Sequence, residues 1–72
     1  AALFDALRAE RLRLAKLQGV PPYVVFHDST LQAMALVRPG SISDLGVLPG
    51  VGHSKLERYG EAFLAVIANH AA

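Results

Sequence analysis

The chain has no cysteine. That excludes a disulfide framework and a thiolate metal site, and it fits a reducing compartment. Charge of either sign is scarce: seven Lys and Arg against six Asp and Glu leave a net charge of +1. A strong nucleic-acid binder usually carries a basic excess or a basic face. If this chain binds nucleic acid by itself, the binding should be weak and readily lost in salt. Long apolar runs are also missing. The longest, Ala62 to Ala68, is far too short to span a bilayer, so no membrane partner is expected. No charged segment precedes an apolar stretch at the N-terminus, so no signal peptide is visible. There is no Gly-x-x-x-x-Gly-Lys-[Ser/Thr], so ATP cannot be held as a P-loop holds it. His27, His53 and His70 are too scattered for a helical His pair, which argues against zinc. His27-Asp28-Ser29 has the residue types of a hydrolase triad, but adjacent residues do not normally stack in relay geometry. No pair of carboxylates stands out for acid–base or two-metal chemistry. Neither catalysis nor a cofactor is expected in this domain.

What is present suits a small helical core. The 72 residues are 53% hydrophobic, enough for one domain, residues 1–72. A chain this short buries only about 60% of its unfolded surface, so its core must be efficient. Ala1-Ala2 and Ala71-Ala72 read as trimmed linker ends, which suggests a module excised from a longer protein. Leu3 to Gln18 reads as a helix with Leu3, Leu7, Leu14 and Leu17 on one face, ended by Gly19. Arg8, Arg11, Arg13 and Lys16 spread around its circumference and read as solvated surface. Leu12 lies on its polar side. Val20 to Phe26 contains two prolines and no strand to pair with, so it reads as an extended loop whose apolar side chains plug the core. Asp28 or Ser29 should cap a second helix to about Val37, with Leu31, Met34 and Leu36 or Val37 inward. Ser41 and Asp44 form a capping-box-like pair opening a short third helix, which turns Ile42, Leu45 and Leu48 inward and ends at Pro49-Gly50. A fourth helix is expected from His53 to Tyr59, stopped by Gly60 in the left-handed conformation. The last, Glu61 to His70, is apolar almost all round and belongs at the centre of a bundle. The expectation is an all-α bundle of about five short helices.

The most informative stretch runs from Leu45 to Gly60, centred on Gly50-Val51-Gly52. One residue between two glycines suits a tight helix-to-helix hairpin, and glycine lets another chain approach the backbone closely. A helix starting near His53 leaves its first amides unpartnered at the positive end of the helix dipole, a phosphate-sized anion site. The amides of Gly52, His53 and Ser54 would line it, with Lys55 and Arg58 adding cationic charge. The hairpin resembles the helix-hairpin-helix that grips a nucleic-acid backbone without reading sequence. The alternative is that Gly50 and Gly52 only let two helices pack tightly. Tyr23 has two readings: a surface aromatic able to stack on a base, or a core residue with a buried ring and a hydrogen-bonded hydroxyl. Val24, Val25 and Phe26 can fill the core without it. Tyr59 reads as a core residue.

Three stretches in order carry a wider resemblance: Leu3-Phe4 with Leu7-Arg8, then Val20 to Asp28, then Gly50 to Gly60. Together they resemble an HRDC domain, the helicase-and-RNase-D C-terminal module, over Leu3 to His70. The wording is most similar to bacterial RecQ-type DNA helicases, with ribonuclease D second. The resemblance implies a monomeric accessory domain behind a helicase core that alone uses ATP and Mg. It implies weak contacts to single-stranded or junction DNA, or docking on other domains of the parent helicase. It implies a cytoplasmic setting, nucleoid-associated if bacterial. The positions it singles out are Tyr23, Lys55 and Arg58. Many relatives are more basic, and Glu10, Leu12 and Leu17 depart from the pattern in a way that favours a face meeting protein.

Overall fold

Leu3, Leu7, Arg11 and Ala15 stand four residues apart, and in the computed structural model they form the buried stripe of α1, Ala2–Gln18. The structure describes residues 2–70, so expectations for Ala1 and Ala71-Ala72 lie outside the described residues. A four-residue stripe winds around a helix by about 40° per step. It therefore leaves Leu17, which lies about 160° around the axis from Ala15. Leu17 is 72% exposed instead of joining the core. The same winding carries Arg11 inward, so this arginine is not solvated surface. Gly19 ends α1 in the left-handed conformation as expected, with φ of 68°.

The Pro-Pro segment is not an extended loop. Residues Pro22–Val25 form one helical turn, α2. Pro21 supplies the extended entry, and Pro22 sits in the first turn, where no N–H is needed and its fixed φ suits a helix. The expected plug is formed by Val25 and Phe26, both fully buried, while Tyr23 and Val24 face outward. Next comes α3, Asp28–Val37, whose N-cap is His27 rather than Asp28 or Ser29. Thr30, Leu31 and Met34 are buried, whereas Leu36 and Val37 are both exposed, so neither of them turns inward. Arg38 stops α3 in the left-handed conformation, and its Nη1 donates to the His70 carbonyl at the far end of the chain.

Ser41 caps α4, Ile42–Gly46, by accepting from the Asp44 amide. This helix is shorter than expected. Single turns at Leu48 and Val51 carry the chain onward, with Leu48 buried and Ile42 partly exposed. The two last expected helices are one, α5, His53–Asn69. Gly60 does not stop it. A Cβ there would lie 2.9 Å from Ile42 Cδ1, so its role is to admit α4 against the middle of α5. Nor does the apolar stretch after Gly60 sit at the centre of the bundle: Glu61, Ala65 and Ala68 are exposed, while Phe63 and Ile67 are buried.

The described residues contain helices and no strand, so the all-α expectation holds. The five-helix count holds too, because α2 appears where two others merge. The core centres on Phe26, edge-on to Phe63 at 5.1 Å and to Tyr59 at 5.9 Å between ring centroids. Tyr59 is buried as expected, and its hydroxyl donates to Gln18 Oε1 at 2.7 Å.

Candidate nucleic-acid interface

The α4–α5 connection is built around two glycines with different jobs. Gly50 has φ of 83°, and a Cβ there would fall 2.2 Å from Thr30 Oγ1. That hydroxyl is committed: buried Thr30 donates to the Pro49 carbonyl at 3.1 Å. Gly50 is therefore fixed by the fold. Gly52 is not: its φ is −78°, and a Cβ would meet nothing within 4 Å. Gly52 is ordinary extended backbone facing open space, so neither strain nor packing demands glycine there.

Gly52 is also the N-cap of α5, and it offers no side chain to the amides that follow. The first amides of a helix have no intrahelical partner, and the helix dipole is positive there. They open onto a shallow depression of about 610 Å³ lined by Gly50 through Lys55. Thus Gly50, Gly52, His53, Ser54 and Lys55 come together, whereas Tyr23 and Arg58 lie outside the depression. Arg58 is exposed on the next turn, on the same side as Lys55. His53 leans along the helix, its Nε2 3.6 Å from Glu57 Oε1. Lys55 is half-buried rather than freely solvated, because its ammonium lies over the Phe26 ring, 5.8 Å from the centroid.

Tyr23 is 60% exposed, in line with its expected surface placement. Its ring stacks on His27, centroids 6.1 Å apart and planes inclined by 23°. The backbone beneath this pair is pinned by Arg11, whose Nη1 donates to the Phe26 carbonyl at 3.0 Å and pairs with Asp28 Oδ1 at 2.7 Å. Sequence reasoning missed both Arg11 and His27. The four-residue spacing of Arg11 from Leu7 and Ala15 was the available signal for the first. Phe26 joins the two regions: its ring carries Lys55, and the next residue along the chain carries the ring that meets Tyr23.

Electrostatically, the surface is mild. Arg11 is taken up internally, and Arg13 is chelated by Glu10 at 2.6 and 2.9 Å, a pairing that raises its pKa chiefly by hydrogen bonding. Glu57 and Glu61 offset Lys55 and Arg58 along α5. Among the described residues no cluster of three His, Cys, Asp or Glu side chains is placed to hold a metal ion. No described helix is long and apolar enough to cross a membrane.

Comparisons with known proteins converge on one family. The chain is 46% identical over 70 residues to the ATP-dependent DNA helicase RecQ of Haemophilus influenzae, covering 97% of this chain and 11% of that protein. It is 44% identical over 69 residues to RecQ of Bacillus subtilis, covering 96% of this chain and 12% of the relative. It is also 46% identical over 61 residues to the ATP-dependent DNA helicase UvrD2 of Mycobacterium tuberculosis, covering 85% and 9% of the two chains. The chain thus spans about a tenth of the length of these helicases. Its structure matches D. radiodurans RecQ HRDC domain 3 with a TM-score of 0.90 at 39% identity, covering 93% of this chain and 88% of the other. With the HRDC domain model matching residues 1–67 as well, sequence and fold agree that the chain belongs to the HRDC family.

Proposed function

We propose that the chain is a single, non-catalytic HRDC domain, residues 1–72, of a bacterial RecQ-type helicase. In this reading it makes weak, sequence-independent contacts with single-stranded or junction DNA and so modulates which DNA structures the parent engages. ATP and Mg then belong to the helicase core. The observation that carries this reading is the uncapped start of α5, open to solvent beside Lys55 and joined through Phe26 to the loop bearing exposed Tyr23. A phosphate fits the amides of Gly52, His53 and Ser54, and a base fits the Tyr23 ring. Gly50 shapes the turn, and Arg58 adds charge one turn on. The near-neutral surface keeps the affinity low.

Anisotropy titrations with labelled single-stranded DNA at several salt concentrations test this reading. Tyr23→Ala should cost roughly 1–3 kcal/mol of binding with an unchanged salt slope, because stacking is weakly screened. Lys55→Ala should flatten the slope by about 0.7 unit, the value for one phosphate contact on a single strand. It should also cost about 0.5–1 kcal/mol of stability through the lost contact with Phe26. If both variants bind like the parent, this surface is not a DNA site.

A second reading has its own support. Leu36 is 86% exposed and Val47 81%, and Leu36 borders a groove with Phe4, Gln32 and Ala35. Those features suit docking on another domain of the parent helicase. Absence of DNA binding even at low salt would favour that role.

A further inference from the structure

His27 occupies the N-cap of α3, a position where a short polar side chain normally accepts a hydrogen bond from the first turn. Its imidazole makes no such bond. The main chain of His27 already serves the helix, since its carbonyl accepts from the amides of Thr30 and Leu31 at 3.1 and 3.2 Å. The ring is instead exposed and lies against Tyr23 at 6.1 Å, inclined by 23°. Tyr23 and His27 are four residues apart, and the single turn of α2 folds the chain back enough for the rings to meet. Arg11 holds the peptide under them through the Phe26 carbonyl, and it also pairs with Asp28, the carboxylate that would otherwise repel a nearby phosphate. The outcome is a braced, outward-facing aromatic pair at a position that forgoes a helix cap.

We propose that Tyr23 and His27 act as one two-ring platform for an unpaired base, with His27 the residue that sets preference for single strands over duplex. This rests on the DNA reading given above. A base inside a duplex has both faces covered by its neighbours, so only an unpaired or unstacked base can use the platform. The open start of α5, by contrast, offers amides to any phosphate. A ring braced by its neighbour loses less freedom when a base stacks on it, which raises affinity without a new contact.

The test compares a short labelled oligothymidine with a blunt duplex of equal length, using the 72-residue chain, three His27 variants, Tyr23→Ala and Lys55→Ala. His27→Asn is the central variant, because it removes the ring while offering a good N-cap, so its thermal midpoint should match or exceed the parent's. His27→Asn and His27→Ala should each lower single-strand affinity by about three- to tenfold, with duplex affinity unchanged within about twofold. His27→Phe, which keeps a ring, should retain single-strand binding. Equal loss on both DNA forms would overturn the proposal, as would loss in His27→Phe, which would assign the effect to something other than stacking. Parent-like binding by His27→Asn with weakened Tyr23→Ala would leave Tyr23 acting alone and also overturn it. Parent-like binding by Tyr23→Ala and Lys55→Ala would instead remove the DNA reading itself.

Discussion

Replacing Phe26 by alanine is expected to lower stability by about 3–5 kcal/mol. The ring is fully buried and makes edge-on contacts with Tyr59 and Phe63, so truncation opens a cavity between α2 and α5 that neither partner can fill alone. Domains of this size have about 4–11 kcal/mol in total, at about 0.05–0.15 kcal/mol per residue. The variant should therefore be partly unfolded at physiological temperature, with a collapsed denaturation midpoint. Phe26→Leu, which leaves most of the volume, should lose about half as much or less. In its folded fraction, Phe26→Ala should also bind DNA more weakly, because Lys55 loses the ring beneath its ammonium. Urea melts followed by circular dichroism check the first claim. A loss under about 1 kcal/mol would mean that Phe26 is not the centre of the core.

Gly50→Ala should cost about 2–4 kcal/mol, whereas Gly52→Ala should cost no more than about 1 kcal/mol. Two penalties meet at position 50. A left-handed φ of 83° disfavours any Cβ, and the added carbon would fall 2.2 Å from Thr30 Oγ1. Rotating Thr30 out of the way would break its bond to the Pro49 carbonyl and strand a buried hydroxyl. At position 52 neither penalty applies, and only a modest capping preference is lost. The functional consequence is reversed. A folded Gly52→Val should weaken DNA binding by blocking close approach to the α5 amides, while Gly50 acts through the turn. Equal stability of the two alanine variants would refute this division. Unchanged DNA affinity in folded Gly52→Val would mean that DNA binding does not use close approach to these amides.

The elements legible in the sequence were those with local punctuation. Gly19, Ser41 with Asp44, and the start of α5 after Gly52 each mark a boundary through their own neighbours. The all-α architecture followed from that punctuation and from a proline-broken segment without a strand partner. The errors lie where a residue's role is set from far along the chain. Arg11 looked like surface because its acceptor is the carbonyl of Phe26, fifteen residues on. Gly60 looked like a stop because a left-handed cap and a packing gap require the same residue. Only Ile42 and Leu45 of α4 distinguish the two. The paired prolines read as breakers, although Pro22 opens a helical turn. The glycine hairpin was legible as a local feature, and so was exposed Tyr23. The ring of His27 was not, because its spacing from Tyr23 has meaning only once α2 is known to be helical.

The gap that admits α4 against α5 also constrains how this sequence can change over generations. Both branches of one side chain fill it: a Cβ at Gly46 would lie 3.0 Å from Leu56 Cδ2, and one at Gly60 would lie 3.4 Å from Leu56 Cδ1. Contacting positions do not vary independently. Alanine at 46 asks Leu56 Cδ2 to give by a few tenths of an ångström, and that demand disappears once position 56 carries a shorter side chain. The effect of either substitution therefore depends on whether the other is already present. The order in which substitutions arrive thus changes what each of them costs.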